Sequence, residues 1–268
     1  MKRIAVYCGS ATPENPIYIM AAAAVGKALA ERGIGVVYGG GRLGLMGAVA
    51  DAALGAGGEV IGIIPEALVG AEVAHKGCTE LHVVSGMHER KARFTDLSDG
   101  FITIPGGVGT MDELWEAISW SQLGYHSKPV GVLNIAGFYD QLIAFNQNMI
   151  DVGFIRPQHA GIMIVDDTLD GLLGKMTAYV PHKNIFQMKA DDLRVTAPRW
   201  WLSHRRAYRA GRNPSVLPAD CLIRQHASGF GCSTLGAANV TIWPMVKIMA
   251  ARWKRWKTRW LGWRLFAN

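Results

Sequence analysis

Two carboxylates, Asp112 and Glu113, follow one residue after the glycine-rich run Pro105-Gly106-Gly107-Val108-Gly109-Thr110. Each half of that combination has its own chemistry. Glycines between a strand and a helix leave backbone N–H groups free, the helix dipole adds partial positive charge, and the missing side chains let a phosphate come close. Paired carboxylates would spoil a simple phosphate cradle. They suit a site that binds a phosphate and also handles a developing cation. Upstream, Arg90 and Lys91 stand side by side in Ser85-Gly86-Met87-His88-Glu89-Arg90-Lys91-Ala92. Two more small-residue runs, Gly9-Ser10 and Gly39-Gly40-Gly41, complete the set of candidate anion-binding turns.

The elements that must position these residues follow from hydrophobic patterning. Short, mostly apolar runs at Lys2–Tyr7, Ile34–Tyr38, Val60–Ile64, Leu81–Val84, Phe101–Ile104, Pro129–Leu133 and Ile162–Val165 alternate with helix-period segments. Strands apolar along their whole length belong to a parallel sheet covered on both faces. The expected fold is therefore α/β, a Rossmann-like doubly wound sheet. In such sheets ligands bind beyond the carboxyl ends of the strands, where Ser10, Gly41 and the Gly107–Thr110 turn should converge. The helix after the central turn has Met111, Leu114, Trp115, Ile118 and Trp120 on its period, and the Thr110/Glu113 spacing reads as a capping box. Ala67–Thr79 reads as a long irregular loop.

Gly39-x-Gly41-x-x-Gly44 matches the GxGxxG dinucleotide pattern, with Glu59 twenty residues after Gly39. In detail the match is poor, because Glu59 precedes its strand instead of ending it and the motif follows the second strand. A nicotinamide-dependent oxidoreductase is the alternative this motif keeps open, and a nucleotide-binding module without turnover is another.

The 268 residues suffice for one large domain or two small ones. The net charge of +7 conceals an asymmetry. Residues 1–185 hold 13 Lys and Arg against 18 Asp and Glu, whereas 186–268 hold 15 against 3 and seven of the nine tryptophans. A boundary near residue 185 separates an acidic catalytic domain from a basic, Trp-rich extension of irregular or helical structure. Within the extension, Trp253, Trp256, Trp260 and Trp263 form a helical stripe among Lys and Arg. That pattern suits contact with a membrane surface or with nucleic acid, and an appendix without a role reads equally well. Cys8, Cys78, Cys221 and Cys232 show neither CxxC pairing nor metal-ligand spacing, which places the chain in a reducing, cytoplasmic setting with no metal assigned.

Taken together, YGGGRLGLMG at 38–47, SGMHERKA at 85–92 and PGGVGTMDE at 105–113 resemble the Lonely Guy (LOG) family, whose motif is PGGxGTxxE. The resemblance covers about residues 1–182. It implies a Rossmann-like homodimer that needs no cofactor and removes the base from cytokinin riboside or purine 5′-monophosphates. It also implies Arg90 and Glu113 as the catalytic pair, and substrate binding by Glu72, Lys91, Gly107, Val108, Gly109, Thr110, Met111, Asp112 and Ser119. Asp112 stands where many members have Glu. Some members carry the label lysine decarboxylase, but no pyridoxal-type lysine site can be argued from these residues.

Overall fold

A computed structural model describes residues 1–69 and 74–187. Glu72 and the extension from residue 188 onward lie outside the described residues, and with them the Trp stripe.

Seven strands form one sheet: β1 (Arg3–Tyr7), β2 (Gly35–Tyr38), β3 (Val60–Pro65), β4 (Glu80–Val84), β5 (Gly100–Thr103), β6 (Val130–Leu133) and β7 (Met163–Asp166). Every pairing is parallel, and the spatial order is β4-β3-β2-β1-β5-β6-β7. The helices between them are α1 (Pro16–Glu31), α2 (Gly44–Gly55), α3 (Glu66–Val69), α4 (Met87–Leu97), α5 (Val108–Leu123), α6 (Asp140–Asp151) and α7 (Leu169–Thr177). The expected fold class holds. One local expectation does not: the segment read as irregular from Ala67 begins instead in a single helical turn, α3.

Two hydrophobic clusters explain why the strands read as unbroken apolar runs. In β1, Ile4 and Val6 face one cluster, with Val25 and Leu29 of α1 and Val49 of α2. Ala5 and Tyr7 face the other, with Phe94 of α4 and Leu114 and Ile118 of α5. A strand with both faces covered has no polar side to alternate with. Helices α1 and α2 sit close because Gly26 of α1 lies against the Val49 carbonyl, where a Cβ would clash.

Strand order reverses between β1 and β5, since β2 lies on one side of β1 and β5 on the other. The connections leaving these two strands go to opposite faces and open a crevice at their carboxyl ends.

Helix α5 ends at Gly124, in the left-handed region (φ 86°). His126 then folds back beneath the helix. Its ring centroid lies 5.0 Å from that of Phe101. Its Nε2–H donates to the Ala117 carbonyl at 2.9 Å, and its Nδ1 accepts the Lys128 N–H at 3.2 Å. Both ring nitrogens are thus used by the neutral imidazole. Burial, only partly offset by the Ala117 carbonyl, lowers the His126 pKa from 6.5 to about 4. A base whose pKa falls on folding contributes stability above its unfolded pKa and loses it as pH drops toward the folded one. Unfolding free energy should therefore fall by about 3 kcal/mol between pH 6.5 and 4 on account of this residue. Urea melts across that range should show a shallower pH dependence for His126→Gln than for the unmodified chain.

Candidate active site

The crevice is built from the ends of β1 and β5. Gly9 N–H donates to the Pro105 carbonyl at 3.1 Å, and Ile104 N–H to the Tyr7 carbonyl at 3.0 Å, so the two loops leave the sheet clasped together. The clasp requires small residues. A Cβ on Gly9 would come within 3.2 Å of Gly106 Cα, and one on Gly106 would collide with the Thr110 hydroxyl and stand 2.8 Å from Gly9 N.

Two helices start at this crevice, and only one of them offers its amides. At the start of α2, Leu45 N–H and Met46 N–H both donate to the Gly9 carbonyl, at 3.1 and 3.3 Å. Gly44 (φ 60°) presses on the carbonyls of Ser10 and Ala11. The helix start that follows GxGxxG is thus filled by the chain's own backbone. Glu59, the acid that motif would need at a ribose, lies at the opposite end of the sheet, where it forms a two-pronged pair with Arg3 at 2.6 and 2.8 Å. The α5 start differs. Its N-cap is Gly107, no side chain among the described residues caps it, and space is open in front of Gly107 and Gly109. The first intrahelical bond runs from Met111 N–H to the Gly107 carbonyl, so Val108, Gly109 and Thr110 carry the leading amides. The expected capping box is therefore corrected. Thr110 lies inside the first turn, buried, with its hydroxyl packed on Gly106, and Glu113 is turned toward Arg90.

Arg90 enters from the first turn of α4 and is 7% exposed. Its Nε–H donates to the Ile63 carbonyl at 3.0 Å and its Nη2–H to the Gly39 carbonyl at 3.2 Å. The guanidinium carbon stands 5.3 Å from the Phe94 ring centroid. Nη1 lies 3.4 Å from Glu113 Oε1, with both side chains almost fully buried. The cleft above this pair, about 220 Å³, is lined by Cys8, Ser10, Met46, Arg90, Thr110 and Glu113, among others. Burial raises the pKa of Cys8 and of Tyr7 beneath it, and the Glu113 charge adds to both shifts, so both stay protonated.

The structure gathers most of the residues read from the sequence, though not all. Ser10, Arg90, Gly107, Val108, Gly109, Thr110 and Glu113 share the cleft. Lys91 points along α5 instead, 2.9 Å from Asp112 and 3.2 Å from Glu116. Burial works against its charge, but the two carboxylates outweigh burial and raise its pKa. Met111 packs against the core. Ser119 is exposed further along the helix. Gly41 pairs by a single bridge with Ala74 and is not part of the cleft wall. Cys8 and Met46 line the cleft without having been singled out as site residues, and of the Gly39-Gly40-Gly41 run only Gly39 reaches it.

A parallel α/β sheet with an open helix start and a buried carboxylate–guanidinium pair at its switch point is a Rossmann-like fold with a cleft whose geometry suits an anion and acid–base or cation-stabilising chemistry. Comparison with known proteins narrows this. Residues 46–176 match the family described as "Possible lysine decarboxylase". The chain is 47% identical over 192 residues to cytokinin riboside 5′-monophosphate phosphoribohydrolase LOG of Oryza sativa subsp. japonica, covering 72% of this chain and 79% of that one. It is 42% identical over 193 residues to LOG1 of Arabidopsis thaliana, named for the same activity, covering 72% and 91%. Among solved structures, the Moco carrier protein of Chlamydomonas reinhardtii shares the fold, at TM-score 0.51 and 22% identity over 66% of this chain and 95% of that one. The chain belongs to the LOG family of cytokinin riboside 5′-monophosphate phosphoribohydrolases.

Substitutions at two glycines separate close packing from open space. Gly106→Ala should lower the unfolding free energy by roughly 1–3 kcal/mol through overpacking against Thr110 and Gly9. Gly109→Ala, with nothing facing it, should be neutral or slightly stabilising in urea melts.

Proposed function

We infer that this chain is a hydrolase that cleaves the N-glycosidic bond of purine, including cytokinin, riboside 5′-monophosphates, releasing free base and ribose 5-phosphate. The observation that carries this reading is that the uncapped start of α5 and the Arg90–Glu113 pair face one cleft. The level of identity to the rice and Arabidopsis enzymes supports it.

The 5′-phosphate rests on the N–H groups of Gly107–Thr110, where the helix dipole favours its charge. One further turn along the same helix, Glu113 stands beside the anomeric carbon. As the C1′–N bond lengthens, its electron pair leaves with the base and the sugar becomes oxocarbenium-like. The Glu113 carboxylate stabilises that cation and orients, then deprotonates, the water whose oxygen bonds to C1′. Negative charge grows on the departing purine ring. Arg90 meets it with hydrogen bonds, not with a proton, since a guanidinium stays charged throughout. The water proton returns through Glu113 or solvent to the released base. Binding energy gained at the phosphate, remote from the bond that breaks, lowers the barrier at the sugar. Glu72 suits the ribose hydroxyls or the base. Assembly as a cytoplasmic homodimer, with the cleft opening past the exposed Val108, belongs to the same reading. So does contact of the basic extension with a membrane surface or nucleic acid.

AMP and isopentenyladenosine monophosphate should be hydrolysed and the matching nucleosides spared, with released base followed by chromatography. Equal rates on adenosine and AMP would contradict the phosphate site. Binding of AMP without release of adenine would leave only a nucleotide-binding module. Glu113→Gln should keep the fold and lose most turnover, and Arg90→Ala should be nearly inactive. Either variant retaining more than about a tenth of the rate has lost less than ~1.4 kcal/mol of transition-state stabilisation, and its catalytic role is then wrong.

A further inference from the structure

Gly39, the first residue of the GxGxxG run, lines the same cleft, but the helix start of that run is closed by the Gly9 carbonyl, so a phosphate does not account for its glycines. Gly40 and Gly44 have positive φ and need glycine for their backbone. Gly39 does not, and alanine would fit its conformation. What alanine lacks there is room. A Cβ on Gly39 would collide with Arg90 Nη2 and lie 2.8 Å from Met46 Sδ, while the Gly39 carbonyl accepts the Nη2–H at 3.2 Å.

We propose that Gly39 is a positioning residue for catalysis: its missing side chain and its carbonyl together form the seat that holds the Arg90 guanidinium against Glu113. This rests on the role given to Arg90 above. Among the described residues the guanidinium also meets the Ile63 carbonyl through Nε, the Phe94 ring and Glu113. The group is planar and rigid, so displacing Nη2 at Gly39 carries Nη1 with it. A methyl group at position 39 would push Nη2 outward and tilt Nη1 away from the position it holds beside Glu113.

The test is a double-mutant cycle on the full chain with two readouts. Gly39→Ala should lower kcat roughly 100-fold, the scale expected when a catalytic group is misplaced by about 1 Å. KM for AMP should change less than about threefold, because the phosphate amides are untouched. In an Arg90→Ala background the same change should cost less than about twofold further, since the group it displaces is gone. The thermal readout needs no activity. Gly39→Ala should lower the melting temperature by about 5 °C with Arg90 present and hardly at all in the Arg90→Ala background. Should Gly39→Ala fail to fold alone, recovery of the fold in the Gly39→Ala/Arg90→Ala double variant supports the seat, and its absence overturns it. Equal losses of rate or melting temperature in both backgrounds would also overturn it. So would recovery of rate in Gly39→Ala/Met46→Ala, which would place the clash on the thioether. If the unmodified chain released no base from any nucleotide, the proposed activity would fall. The melting cycle would then still decide whether Gly39 seats Arg90.

Discussion

A guanidinium 7% exposed among the ends of a parallel sheet is the constraint the rest of this site depends on. Removing a charged group from water is costly unless its donors are met and a counter-charge is near. Here the donors meet two carbonyls, that of Gly39 just past β2 and that of Ile63 within β3, and the counter-charge is Glu113. The two lie side by side because β2 ends at Tyr38, level with Gly62 of β3. The arginine reaches them because α4 begins immediately beyond β4, the neighbour of β3 in the sheet. The order of the strands thus decides which backbone atoms can solvate the charge.

The same economy separates the two helix starts. Each start leaves amides with no partner inside its own helix. At α2 a neighbouring backbone carbonyl, from Gly9, takes two of them and ties α2 to the end of β1. At α5 the corresponding place is open, because Gly107 caps the helix without a side chain and Gly106 draws Thr110 inward. One start has become structure, and the other is left open. The clasp between Gly9 and Pro105 sets both outcomes, since it fixes where the Gly9 carbonyl points and where α5 begins.

Much of this was legible in the chain itself. The inner strands β1, β2, β3, β5 and β6 were marked by apolar runs, because burial on both faces leaves no polar alternation to blur the signal. The convergence of Ser10, Arg90 and Gly107–Glu113 could be read from the βα alternation, since all follow strand ends. What stayed hidden depends on side-chain direction across elements. Thr110 and Glu113 have the spacing of a capping box, and nothing local reveals that one is needed against Gly106 and the other against Arg90. Lys91 looks like a ligand for an anion until α5 is placed beside it with Asp112 and Glu116. GxGxxG has the right letters for a dinucleotide. Its helix start is filled by the carbonyl of Gly9, far upstream in the chain, and local spacing cannot show that.

The adjacent pairs Arg90-Lys91 and Asp112-Glu113 take their meaning from the two helices together. Neighbouring residues on a helix point about 100° apart, so one pair on each helix can engage along two separate lines of contact. Arg90 meets Glu113 at the buried line, and Lys91 meets Asp112 and Glu116 at the more exposed one. The Lys91 contacts hold α4 and α5 in register without entering the cleft. The Arg90–Glu113 contact, at 3.4 Å, is left facing the cleft. A slip of α5 along its axis by one residue would break both lines at once. Asp112 completes this geometry, its short side chain lying 2.9 Å from the Lys91 ammonium.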